Sequence, residues 1–416
     1  MRKRSSAVTQ IVVVARSAVR IARRTVAVPM SAVFALLWAS CARLPVSREQ
    51  SLIPLAMLAA DSVRSDTIGP GLVHTYVWSA RGPWAINVLD VDRSACWSVA
   101  AVKAGGQAVG RERTSELVRA LAARTREAVA GAVNADFFSF EPPGVPVGPH
   151  IAGGRVIAGP GARPVLAFDS AGTPYIGTFF ARGVAFVGDQ LVTVEAWNRR
   201  SARGVALFDP AWGPATDTAS GAVEVTLGGS PASVVGVDTT AAGVSIPRHG
   251  AVLVVGRDAP AGLRRSLLGI VGPALVRWAV ALEPFHPREA VGGFPVLVAD
   301  SVLAAGLDSA GGAGFGPVRH PRTAVGVAAG GRRLLLVTVD GRQAPYSDGM
   351  TLRELAEFLR TIGAADAINL DGGGSTTMVV RRAEGSYAPV NRPSDLEGER
   401  PVANALAVVG RCEPQR

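Results

Sequence analysis

From about His74 to Val409 the chain is cut into short, valine-rich runs by glycine, proline and aspartate. Runs such as AINVLDV (Ala85 to Val91), GVAFVG (Gly183 to Gly188) and AVLVVG (Ala251 to Gly256) are too short for helices and end in turn residues, so they predict strands. TAVGVA (Thr323 to Ala328) and RRLLLVTVD (Arg332 to Asp340), separated only by Ala329, Gly330 and Gly331, read as a hairpin. Two segments carry helical spacing instead. The first is Thr114 to Ala130, and the second is Leu352 to Ile362, where Thr351 and Glu354 form a capping-box pair. The expected class is α+β, with β-rich mixed sheets packed around a few helices.

Each helix is followed by nearly the same phrase, AVNADFF (Ala132 to Phe138) and AINLDGG (Ala367 to Gly373). On a strand, residues two apart share a face, which pairs Asn134 with Asp136 and Asn369 with Asp371. Two pseudo-symmetric helix-to-strand halves would then bring these groups to one polar cleft. Taken alone, the two phrases could equally be turn residues bonding to their own backbone.

The net charge of +10 raises the question of an acidic partner. Eight basic residues precede Leu44 with no acid among them, which leaves about +2 for the rest and removes most of the case for nucleic acid. The basic stretch runs into the apolar VAVPMSAVFALLWASCA (Val26 to Ala42), the pattern of an export signal. WASC (Trp38 to Cys41) resembles a degenerate lipoprotein box, so Cys41 is a candidate for lipidation and membrane anchoring; a cleaved signal or an uncleaved anchor are the alternatives. The expected division is residues 1–42 as signal or lipoprotein anchor, 43–73 as linker and domain entry, and 74–411 as one exported domain. Cys96 and Cys412 remain as an even pair in a compartment that permits disulfides, and two separate buried thiols are the alternative.

The polar residues around the candidate cleft suit an anion. Arg322 and Thr323 precede a predicted strand and Asp340 and Arg342 end the next, while the amides of Gly372, Gly373 and Gly374 with the hydroxyls of Ser375, Thr376 and Thr377 could form a nest for phosphate. No HExxH, CxxC, GxxxxGK[ST] or GxSxG phrase is present, which argues against a zinc site, a nucleotide phosphate loop or a serine-hydrolase elbow. DGGGST is similar to the phosphate loop of the exopolyphosphatase family, but the second glycine-rich loop that such a fold needs is missing.

The stretch Pro321 to Val380, with NADFF, WNRRSARGVALFDPAWG (Trp197 to Gly213), VGGFPVLVAD (Val291 to Asp300) and NRPSDLEGERPVANALAVV (Asn391 to Val409), resembles the phosphodiester glycosidase family. The resemblance implies hydrolysis of a sugar-1-phosphodiester to the sugar and a phosphomonoester; for an exported hydrolase of this kind the expected substrate is an envelope glycan or exopolysaccharide. It carries over onto Asn134, Asp136, Arg322, Thr323, Asp340, Arg342, Ser347, Asp348, Gly349, Asn369, Asp371, Gly372 to Gly374, Ser375 and Thr376. NADFF departs from the commoner Asn-Gly-Gly-Phe-Phe, so Asp136 adds a carboxylate where many relatives have none. The expected roles are Asp371 as base or nucleophile, Arg322 and the glycine amides on the phosphodiester, and Asn134 and Asn369 on sugar hydroxyls or orienting Asp371. No cofactor is demanded, though a divalent cation such as calcium near Asp371 or Asp340 fits the residue types. A non-catalytic glycan-binding or exopolysaccharide-assembly protein on the same fold is the alternative function. The sequence gives no oligomeric state.

Overall fold

A computed structural model describes residues 58–411, apart from short internal stretches at 160, 162, 188–189, 202–203, 218–220, 230–232, 240–242 and 271–275. The proposed signal, Cys41 and Cys412 lie outside the described residues. Among the described residues no helix is long and apolar enough to cross a membrane.

Alternation along the strands builds the fold. In the eight-stranded sheet the order is Ser62–Gly69, Leu72–Ser79, Trp84–Asp92, Arg333–Val339, Arg322–Ala328, Ala364–Asn369, Val296–Ala299 and Val302–Leu303, with every neighbouring pair antiparallel. Its side chains divide by parity. Leu89, Val325, Leu336 and Ile368 enter one core, and Val88, Ala324, Val337 and Ala367 the opposite one. A five-stranded sheet, ordered Tyr387–Pro389, Met378–Arg381, Ala128–Asn134, Asn404–Gly410 and Trp97–Lys103, supplies Val99, Val133, Val380 and Leu406 to the first of these cores.

Two helices close the outer faces. Helix α1 (Thr114–Arg124) covers the five-stranded sheet with Leu117, Val118 and Leu121, and a second, α2 (Ala261–Leu268), lies in the middle of the chain. Helix α3 (Leu352–Thr361) packs Leu352, Leu355, Phe358 and Leu359 against the eight-stranded sheet, each fully buried side chain contributing about 2 kcal/mol. The centre is therefore layered helix, sheet, sheet, helix. The capping box at α3 forms as expected: Glu354 N donates to Thr351 Oγ1 at 3.1 Å, and Thr351 N to Glu354 Oε2 at 2.9 Å. So does the hairpin from Arg322–Ala328 to Arg333–Val339, turning at Gly330 and Gly331 with φ of 76° and 68°.

Two expectations need correction. The sheets are less mixed than expected, since among the described strands only Ala196–Trp197 and Val205–Phe208 pair in parallel. Helix α1 ends at Arg124, because the residues from Ala128 instead join the ladder between Met378–Arg381 and Asn404–Gly410. Within 43–73, Leu58 is buried and Ser62–Gly69 is the edge strand of the large sheet, so the folded domain is entered before His74. The two helix-to-strand units do face one another across the shared core, but their sheets have eight and five strands and so differ in extent.

Candidate active site

The strands Ala128–Asn134 and Ala364–Asn369 end side by side because one side chain joins their exits. Asn134 Nδ2 donates to the main-chain carbonyl of Asp371 at 2.7 Å, while its Oδ1 accepts from Thr323 Oγ1 at 2.7 Å and Thr377 N at 3.0 Å. Asp371 N in turn donates to Ala135 O at 2.8 Å. Asn134 is completely buried, so its amide acts as a joint between the two sheets.

Beyond each strand end stands one aspartate. Asp136 is buried, with Oδ2 accepting from Gly148 N at 2.7 Å and its own N donating to Asn404 Oδ1 at 2.8 Å. Its Oδ1 has no hydrogen-bond partner. Burial, reinforced by the negative charge of Asp371, pushes Asp136 up to about 7 against the opposing Gly148 amide, Arg199 and Arg163. Burial also raises the half-buried Asp371 to about 6, opposed by the Ser375 hydroxyl, Arg400 and the Gly372 amide. The charge of Asp371 is thus felt at Asp136, which marks the two carboxylates as neighbours. Space for Asp136 comes from glycines: a Cβ on Gly148 would stand 2.5 Å from Gly292 Cα and 2.9 Å from Asp136 Oδ2.

Behind Asp136, Asn404 Nδ2 donates to the buried His150 Nδ1 at 3.0 Å. Burial holds His150 down to about 3, so the ring is neutral and Nδ1 is free to accept. Asn369 Nδ2 donates to Phe294 O at 2.7 Å and Leu370 O at 2.8 Å, leaving Oδ1 buried without a partner. That oxygen is an unmet acceptor of the kind sugar hydroxyls satisfy, while Asp136 Oδ1, opposite the Oδ2 that accepts from Gly148, is the atom free to carry the carboxyl's proton.

The cationic side is built by two arginines. Arg322 is 1% exposed; Nε donates to Met350 O at 2.9 Å, and Nη2 donates to Phe315 O at 2.6 Å and Val318 O at 2.9 Å. Burial, and then the neighbouring charge of Arg342, lowers Arg322 only to about 10, so it stays charged at neutral pH. Arg342 is exposed and lies over Gly373, where a Cβ would stand 3.2 Å from its guanidinium nitrogens; its Nη2 is 3.3 Å from His320 Nδ1. Neither arginine meets a carboxylate among the described residues. Two adjacent cations, one buried, without a counter-ion suit an anionic ligand.

Other predicted residues serve the scaffold. Asp340 is buried and accepts from Asn391 Nδ2 at 2.9 Å, Arg392 N at 3.0 Å and Tyr346 OH at 3.0 Å, which fixes the loop after Asn391. Ser347 Oγ donates to Asp340 O at 2.6 Å and accepts from Ala85 N at 3.1 Å. Asp348 N donates to Pro83 O at 3.0 Å, and Gly349 packs on the His320 backbone with φ of 93°. The amides of Gly373, Ser375 and Thr376 donate to Pro321 O, Gly372 O and Gly373 O. These three amides, like Arg322 Nε and Nη2, are thus committed to main-chain carbonyls, and the exposed Arg342 is the cation left to face an anion. Among the described residues no three His, Cys, Asp or Glu side chains cluster as metal ligands.

Residues that sequence reasoning did not assign complete the cleft. Phe137, Phe294 and Phe315 form a half-buried aromatic wall, with ring centroids 6.1 Å apart for Phe137–Phe315 and 6.4 Å for Phe294–Phe315. The Arg163 guanidinium lies 5.3 Å from the Phe137 ring and 4.9 Å from that of Phe294, within cation–π range. Gly374 admits the pair of Arg400 and Asp395, whose Nε–Oδ2 distance is 2.7 Å. Phe137 and Phe294 stand in the NADFF and VGGFPVLVAD phrases; Arg163 carries no local signal.

A β-rich α+β fold with two neighbouring raised carboxylates and two neighbouring arginines that lack carboxylate partners among the described residues is the class defined so far. Residues 229–409 match the model of the phosphodiester glycosidase family, and the family resemblance read from the sequence holds. The matched stretch contains Arg322, Asp340 and Asp371 and begins after Asn134 and Asp136. The chain is similar to mouse N-acetylglucosamine-1-phosphodiester alpha-N-acetylglucosaminidase, with 44% identity over 102 residues, 24% of this chain and 19% of the relative. The match thus spans about a fifth of that relative's length. In structure the chain is similar to a Synechocystis protein, with a TM-score of 0.70 and 23% identity over 84% of this chain and 64% of the other, which is a likeness of fold. It is also similar to a Burkholderia pseudomallei protein described as exported, with a TM-score of 0.62 and 26% identity over 79% of this chain and 74% of the other.

Proposed function

We propose that the chain is an exported hydrolase that cleaves a sugar-1-phosphodiester between the anomeric carbon and the phosphate oxygen, on an envelope glycan or exopolysaccharide. What supports this reading is a pair of neighbouring arginines without carboxylate partners, Arg322 and Arg342, the second lying over Gly373 two residues after Asp371, whose charge Asp136 senses. The arginines hold the phosphodiester, and the aromatic wall of Phe137, Phe294 and Phe315 takes the sugar. Arg163 bridges that wall toward Asp136.

Cleavage passes through a transition state with positive charge on the sugar ring, which a nearby carboxylate stabilises. Asp371, the more acidic and more accessible of the pair, serves as base or nucleophile; Asp136 retains its proton to higher pH and serves as acid. Overall, the hydroxyl of water goes to the anomeric carbon and the electron pair of the broken bond leaves with the phosphate. The proton given up by water is taken by a carboxylate and returned to the product phosphate. A phosphate beside two arginines is a good leaving group, so Asp136 need supply only partial proton transfer. Asn134 and Thr323 set the position of Asp371 through its backbone.

The test is release of free sugar from a panel of UDP-sugars and other small sugar-1-phosphodiesters, with Asp371→Asn as control and circular dichroism to verify folding. Turnover lost in the variant supports the reading. Binding without turnover in the native chain would leave a glycan-binding protein on the same fold.

A further inference from the structure

Away from the carboxylate pair, a cleft of about 410 Å³ opens between the segment around Trp197 and the loop at Arg248. It is lined by Trp197, Leu207 and Pro210 together with Arg155, Asp209, Arg248 and His249. Its one carboxylate is already engaged: Asp209 Oδ1 accepts from Asn198 Nδ2 and from Ala211 N, both at 2.8 Å, while Oδ2 stands 3.6 Å from Arg155. Arg248 and His249 are exposed and make no hydrogen bond or ion pair with the described residues. The Trp197 Nε1 hydrogen likewise meets no acceptor. Two arginines against one committed carboxylate, beside an indole face, suit an acceptor-rich anionic ligand with flat apolar surfaces.

The cleft is tied to the carboxylates by a short path. Trp197 exchanges backbone hydrogen bonds with Gly159, and two residues on, Arg199 Nη2 donates to Gly148 O at 3.1 Å. Gly148 is the residue whose amide holds Asp136. The chain spans about 7 Å over two residues and an arginine reaches a similar distance, so the separation from Asp136 is on the order of 20 Å or less. That is the scale of a few linked sugars rather than of one.

We infer that this cleft is an exosite that grips a distal, phosphate-bearing unit of a glycan chain whose end lies in the active site. The choice of a phosphorylated glycan rests on the hydrolase reading above; the charge and shape of the cleft do not.

The experiment compares the full chain with Arg155→Glu/Arg248→Glu, both exposed positions, after matching melting temperatures establish equal folding. Binding is read by affinity electrophoresis in phosphomannan and in unphosphorylated mannan, with Asp371→Asn in both backgrounds so that the polymer stays intact. The expected result is preference for phosphomannan, weakened about tenfold by the double substitution, with kcat/KM for a UDP-sugar unchanged in the otherwise native chain. Undiminished phosphomannan binding, or an equal loss for a DNA oligonucleotide of matched charge, would overturn the exosite. Loss of phosphomannan binding in a protein that cleaves no UDP-sugar would support the exosite and overturn only the hydrolase reading.

Discussion

The side-chain amide of Asn134 is bonded to the main-chain carbonyl of Asp371 at 2.7 Å, across 237 residues of sequence. The same side chain accepts from Thr323 and Thr377, so one buried amide fixes the exits of both sheets.

Asn134→Ala should therefore act as a structural lesion as much as a catalytic one. It leaves a carbonyl, a hydroxyl and an amide unpaired in the interior, at roughly 1–3 kcal/mol for each group. A loss of at least about 3 kcal/mol in urea unfolding is expected, with turnover falling even where the chain is still folded. Wild-type stability in this variant would show that the joint does not hold the site.

The raised carboxylates set two pH dependences. For activity, kcat/KM should fall below about 6 as Asp371 takes up its proton and above about 7 as Asp136 loses its own, a bell centred between these values. For stability, Asp136 ionises near 3.8 in the unfolded chain but near 7 when folded, so the unfolded state is the first to shed the proton. Its contribution to stability is complete below about pH 4 and declines as pH rises through 7, by at most about 4 kcal/mol. Asp136→Asn cannot ionise. Its stability relative to wild type should rise between pH 4 and 8 in denaturant melts, and a flat difference would contradict the buried, raised carboxyl.

Gly292→Ala probes the packing around the same carboxylate. The new methyl would sit 2.6 Å from Gly148 Cα and closer still to Asp136 Oδ2, and neither the backbone nor a buried acid can yield cheaply. Activity should drop at least about tenfold with a stability loss of roughly 1–3 kcal/mol. An alanine variant with native activity would mean that Asp136 need not occupy this position.

Cys96 is disulfide-bonded. Trp97 pairs with Gly410 in the five-stranded sheet, and Arg411 N is 3.4 Å from Cys96 O, so the chain returns to Cys96 one residue before Cys412. We propose Cys412 as the partner, a link closing a very long loop at about 4–5 kcal/mol. Non-reducing peptide mapping should recover the Cys96–Cys412 pair. Recovery of Cys96 joined to Cys41, or as a free thiol, would refute it.

The local elements were readable because their signals are local. Thr351 and Glu354 announce the start of α3, Gly330 and Gly331 the hairpin, and alternating valines and leucines the strands buried on both faces. The end of α1 was misread because helical spacing between Arg124 and Ala130 competes with a place in the sheet, and the ladder to Asn404–Gly410 decided it. Ser62–Gly69 was missed as a strand because its residues are mostly exposed and polar, and only pairing with Leu72–Ser79 makes it one.

By itself the sequence singled out the residues proposed to carry the chemistry: the two Asn-x-Asp phrases, the glycine run after Asp371 and the arginines flanking the hairpin. Their side chains are costly to place without a purpose, and that cost is visible in one dimension. Only the tertiary structure decided what each one does. It turned Asn134 and Asp340 into buried joints, left Arg322 and Arg342 without carboxylates, and brought Arg163 and three phenylalanines to the cleft. Whether a polar group is spent on the backbone or left for a ligand depends on neighbours hundreds of residues away, which come together when the two sheets share a core.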